Sequence, residues 1–139
     1  ESMKDQATSF RAMVGSMQGE AWVSYQKANP AMKSMITSEA DAALATEWGI
    51  RSDPKTVATA MFELFQTDLR PALKKIQSPV LVMAALKSSA EGAIETYKTQ
   101  FAPLKDYCVV PFTDARHFIM FDAPARMFER IESFLKGII

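Results

Sequence analysis

Cysteine and histidine are almost missing from this sequence, which holds a single copy of each, Cys108 and His117. One cysteine excludes an internal disulfide, and one of each excludes a zinc site built from several of them. The compartment stays open between cytoplasm and periplasm, because an exported protein can also lack disulfides. A charge of one sign is missing as well: 16 Lys and Arg balance 16 Asp and Glu, nine against nine before Pro79 and seven against seven after it. No nucleic acid or anionic membrane is therefore expected as a charge-driven partner. Long apolar runs are also lacking, since residues 80–86 are too few to cross a bilayer. Lys4, Asp5, Arg11 and Glu20 interrupt the stretch where a signal peptide needs uninterrupted apolar residues, so neither a span nor an export signal is expected. What remains is an ordinary globular composition, 48% apolar over 139 residues, long enough for one real core.

The chain has two halves with different hydrophobic periods. From residue 2 to about residue 68 the pattern is helical, with Met3, Phe10, Met13, Val14 and Met17 on one face of a first amphipathic segment. Breaks are expected at Gly19, at Asn29-Pro30, at Gly49 and at Ser52-Asp53-Pro54, where Asp before Pro opens a helix whose apolar face holds Val57, Met61, Leu64 and Phe65. Six of the nine methionines lie here. They suit a surface that closes over variable apolar ligands, or they fill a small helical core.

After a short basic helix over 68–76 the period changes. Val80-Leu81-Val82-Met83-Ala84-Ala85, bounded by Pro79, reads as a strand buried on both faces. A helix is expected from Ser89 to about Phe101, then a second strand over Tyr107-Cys108-Val109-Val110-Pro111-Phe112, then a closing helix over 125–136. Its stripe is Met127, Phe128, Ile131, Phe134 and Leu135. Strand, helix, strand, helix with linkers this long implies a crossover and a parallel pair, an α/β class. Two parallel strands do not stand alone, so the pair reads as the end of a larger sheet.

Asp68-Leu69-Arg70-Pro71-Ala72-Leu73 followed by Ile76-Gln77-Ser78-Pro79-Val80-Leu81-Val82 resembles the entry to the penultimate strand of an α/β-hydrolase. Ala115-Arg116-His117-Phe118-Ile119-Met120-Phe121-Asp122-Ala123-Pro124, leading into Phe128 and Ile131-Glu132-Ser133-Phe134-Leu135, is similar to the stretch around that family's catalytic histidine and its final helix. The resemblance implies a partial α/β-hydrolase fold: a helical cap over residues 1–68, then the C-terminal part of the core over 69–139. It implies His117 as the general base of a Ser-His-acid triad in an esterase-like acyl hydrolase, with no metal or organic cofactor. Independently of the family, a histidine just past the carboxyl end of a parallel strand lies on the rim where open α/β sheets hold ligands. An imidazole there suits proton transfer near neutral pH. Alternatively, His117 packs on Phe118 and Phe121.

Other parts of the family pattern are missing. The nucleophile turn G-x-S-x-G is only imitated by Gly15-Ser16-Met17-Gln18-Gly19, with the serine one place early and behind a helix; Gly15 and Gly19 read as bracketing a helix end. The usual acid position falls near Lys87-Ser88-Ser89, and Glu91 and Asp114 read as a helix-start charge and a loop cap. This chain alone is accordingly expected to be inactive, its partners being the missing N-terminal half of the fold or a second copy of itself. The parent's substrate would be a small apolar ester, with Phe10, Met13, Met17 and Trp22 as candidates to line its pocket. The contrasting expectation is a non-catalytic interaction or dimerisation module derived from a degenerate hydrolase.

Overall fold

A computed structural model describes residues 3–87, 89 and 92–137. Their order is α1 (Met3–Gly15), α2 (Gly19–Ala28), α3 (Ala31–Met35), α4 (Glu39–Arg51), α5 (Pro54–Gln66), a 3₁₀ helix (Arg70–Lys75), β1 (Val80–Ala85), α6 (Ala93–Phe101), β2 (Tyr107–Phe112), α7 (Ile119–Asp122) and α8 (Pro124–Leu135). The chain forms two compact units, one of Glu1–Met32 with Ala42–Asp68, the other of Lys33–Asp41 with Leu69–Ile139.

The first unit is helical. Its core is Val14, Trp22 and Ala58, with Phe10, Met17, Tyr25 and Val57 packed around them. Gly15 lies against Ala58, where an added methyl would make an ordinary 3.6 Å contact with the Ala58 Cβ. Alanines 7 and 58 are sealed while Met13, Leu64 and Phe65 are about half exposed or more, so the inward faces of α1 and α5 are turned from those read off the large apolar residues. Helix α5 opens as its sequence predicts: the Asp53 carboxylate accepts from the Thr56 amide and hydroxyl, each at 2.7 Å, and Pro54 follows in the first turn. The Thr56 hydroxyl and amide, in that order, hold the Asp53 carboxyl below its usual range.

Gly49 does not break a helix; it lies inside α4. Its reason is tertiary: a Cβ there would meet the Gln26 Oε1 at 2.8 Å, and the Gly49 carbonyl accepts the Trp22 indole N–H at 3.2 Å. The roughly 1 kcal/mol helix penalty of glycine is tolerated inside α4.

The second unit is mixed helix and strand. β1 and β2 pair in parallel, in register from Val80 opposite Tyr107 to Ala85 opposite Phe112. In β1 only Val82 and Ala84 are fully buried, so the strand is sealed on one face and half covered on the other. The connection carries α6, which starts at Ala93 behind Gly92 (φ 81°), later than the expected Ser89. Ser89 instead closes a turn at the end of β1, donating its amide to Leu86 O and its hydroxyl to Ala85 O. Phe112, Ala115, Ile119 and Ala123 form the core here, with Met83, Ala85, Val110 and Met127 against it. On α8 the stripe is only partly covered, with Phe128 and Leu135 59% and 76% exposed.

Pro111 fixes which side of the pair is terminal. The Phe112 carbonyl accepts from Leu86 N on the β1 side, so the backbone of Pro111, one residue earlier, faces the other way. There it offers no N–H, and its carbonyl is taken by the Arg126 guanidinium at 2.7 Å. A further strand cannot pair normally at that end, which suits β2 to the edge of a sheet.

Candidate functional site

The single histidine lies on the loop between β2 and α7, past the carboxyl end of the parallel pair. The loop is tied to the exit of β1. Leu86 N donates to Phe112 O at 2.9 Å, and Lys87 N to Ala115 O at 3.1 Å. The segment around residue 87 therefore runs beside the His117 loop. Ser88 and Glu91 lie outside the described residues.

The residues on either side of His117 are anchored through their amides. Arg116 N donates to Asp122 Oδ2 at 2.8 Å, and Phe118 N donates to Met35 O at 3.3 Å. The Arg116 guanidinium donates to the carbonyls of Lys33 and Ile36 at 2.7 and 3.1 Å. Asp122 reaches the same segment, accepting the Thr37 amide on Oδ1 and the Thr37 hydroxyl on Oδ2, both at 2.8 Å. Lys87 Nζ donates to the Thr37 hydroxyl oxygen at 3.0 Å. Partial burial works against ionisation of Asp122. The amide bonds from Arg116 and Thr37, the Thr37 hydroxyl and the Lys87 charge outweigh it, and the carboxyl lies below its usual range.

The imidazole itself is exposed and meets Phe118 edge to face, centroids 4.9 Å apart. Among the described residues no carboxylate or hydroxyl is hydrogen-bonded to it. Asp114, three residues upstream, is engaged elsewhere: it pairs with Arg126 at 2.7 Å, and Arg126 also lies 4.4 Å from the Phe112 ring centroid. That pair fastens the start of the loop to α8.

The remaining sequence candidates lie in the helical unit. The Ser16 hydroxyl donates to Met13 O at 2.9 Å, between the end of α1 and the start of α2. Trp22 is buried, Phe10 and Met17 pack against the cluster it forms with Val14 and Ala58, and Met13 is about half exposed. Phe10 also lines a recess of about 240 Å³ with Gln6, Ala7 and Phe65.

Reading the sequence missed Asp122, Thr37, Lys87 and the Arg116 side chain as a group. Asp122 and Thr37 are 85 positions apart, and no spacing rule links them. The one available signal was local, an Asp followed by Ala-Pro at the close of the histidine stretch. No known family model matches the chain, and neither a curated protein nor a solved structure matches it.

Proposed function

We propose that this chain is the cap and the C-terminal part of an α/β-hydrolase core, and that His117 is the general base of an esterase-like Ser-His-acid triad. The nucleophile is absent from this chain. The observation that carries this reading is the His117 loop: an exposed imidazole with no internal hydrogen bond among the described residues, on a loop bonded to the exit of β1. Such a ring is free to take a proton from a serine hydroxyl and deliver it to the leaving alkoxide. The edge at Pro111 supports the same reading, because the added strands, including the one that would present the serine, then fall on the β1 side.

Covalent labelling of the full-length gene product with a fluorophosphonate tests it. Stoichiometric labelling of one serine, slowed at least about 10³-fold in His117→Ala, is the expected result. Labelling that is unchanged in the variant removes His117 from the chemistry. The exposed Phe128 and Leu135 favour one second reading, a non-catalytic surface that pairs two copies. No labelling, together with concentration-dependent dimerisation abolished by Phe128→Ser, is the outcome that selects it.

A further inference from the structure

We propose that Asp122 is a positioning residue for His117, holding the main chain of the histidine loop against Lys33–Asp41. The inference deepens the hydrolase reading and rests on it for its catalytic meaning. The clamp itself is a property of this chain.

Its parts are unusually complete for a partly exposed group. Both Asp122 oxygens are used: Oδ1 by Thr37 N, and Oδ2 jointly by Thr37 Oγ1 and Arg116 N. Arg116 is the residue immediately before the histidine, so the carboxylate fixes the backbone on one side of it. On the other side Phe118 N is fixed by Met35 O, two residues before Thr37. Lys33–Asp41 thus grips the loop at both flanks: directly at Phe118 N and at the Arg116 guanidinium, and through Asp122 at the Arg116 amide. Lys87 Nζ, from the turn after β1, completes the group by orienting the Thr37 hydroxyl so that its proton points to Asp122. None of these bonds goes to the His117 ring. The ring is left untouched while its Cα is held, and a base that must meet a partner to within a few tenths of an ångström needs that combination.

Placement through a bond to a charged acceptor separates Asp122 from ordinary packing. Asp122→Asn keeps the shape but retains one acceptor oxygen and adds two donors, so it cannot accept from Thr37 N, Thr37 Oγ1 and Arg116 N together. Asp122→Glu restores the charge with a longer reach. Thr37→Val removes the hydroxyl while leaving the Arg116 bond in place.

The experiment uses the 139-residue chain in solution, where the single histidine gives one unambiguous set of imidazole resonances. Amide hydrogen exchange and the His117 Cε1–H signal are recorded for the wild type and the three variants. Asp122→Asn is expected to speed exchange at Arg116 at least 10-fold, and to split or broaden the His117 signal. Amides of β1 and β2 should change less than 3-fold. Thr37→Val should leave Arg116 exchange within 3-fold of the wild type, and Asp122→Glu should recover part of the lost protection. In the full-length gene product, Asp122→Asn should lower kcat 10- to 100-fold with KM within 3-fold. Unchanged Arg116 exchange and a single sharp His117 signal in Asp122→Asn overturn the clamp. A uniform loss of protection across β1 and β2 overturns it too, by making Asp122 a general stabiliser. If exchange behaves as expected but the full-length gene product shows no esterase activity in any form, the clamp stands and the hydrolase reading fails.

Discussion

Replacing Phe112 with alanine is the most severe single test of how the second unit holds together. Phe112 is fully buried in the cluster with Ala115, Ile119 and Ala123, and it is the last residue of β2 before the histidine loop. Truncating a sealed phenylalanine costs about 3–5 kcal/mol, lost transfer free energy plus an unfilled cavity. The surroundings cannot collapse into the gap easily, because three of the four cluster members are small or conformationally stiff. Loss of the ring beneath Arg126, 4.4 Å away, adds about 0.5 kcal/mol, a low figure because that side chain is 35% exposed. A unit of about 80 residues is ordinarily stable by about 4–12 kcal/mol, so from about a third to all of its margin disappears. Hydrogen exchange read by mass spectrometry on peptides covering β1 and β2 gives the local free energy directly. Tryptophan fluorescence does not, because Trp22 and Trp48 both belong to the helical unit. Phe112→Ala should reduce the free energy for opening β1 and β2 by at least 3 kcal/mol, and Phe112→Leu by about 1–2 kcal/mol. A loss under about 1 kcal/mol in the alanine variant would show that Phe112 does not fill the core assigned to it.

Three further outcomes follow from other parts of the molecule. Trp22→Phe keeps an aromatic ring stacked on Tyr25 but removes one of the two hydrogen bonds to the Gly49 carbonyl, which still accepts from Ser52 N, and should cost the helical unit about 0.5–1 kcal/mol in urea, a shift that fluorescence from Trp48 would report. Asp53→Ala removes the acceptor for the Thr56 amide and should lower the melting temperature, while Asp53→Ser restores most of it; equal melting of all three forms would refute the cap. Because the folded Asp122 carboxyl lies below its ordinary value of 3.8, its contribution is fully present above that value and is lost as pH falls through the lowered one. Wild-type stability should therefore fall more steeply than that of Asp122→Asn below about pH 4, and parallel curves in acid titrations of stability would contradict the assignment.

The strands were legible because the signal is local: β-branched and apolar runs behind Pro79 and after Asp106 leave few alternatives, and the long linker between them forces a parallel pair. Helix facing was less legible. Counting large apolar residues put Leu64 and Phe65 on the inner face of α5, whereas the buried positions of α1 and α5 are Ala7, Val14 and Ala58, two of them too small to stand out in an apolar count. Gly49 misled as well, since it lies inside α4 with its carbonyl accepting the Trp22 N–H and makes no break in that helix. At the candidate site the position of His117 after β2 follows from the sequence pattern. Its supports do not, because Met35, Thr37 and Lys87 come from distant stretches with no shared spacing, and only folding brings them to one loop.

The central claim is that His117 moves a proton in acyl-ester hydrolysis, and ester turnover measures it most directly. Initial rates on 4-nitrophenyl esters of two to eight carbons should be compared for the full-length gene product, its His117→Ala variant and the isolated 139-residue chain. The account predicts saturable turnover by the full-length protein, a fall in kcat of about 10³-fold or more in the variant with KM little changed, and no turnover by the isolated chain. Equal rates with and without the imidazole, or hydrolysis by the isolated chain that survives His117→Ala, would contradict it.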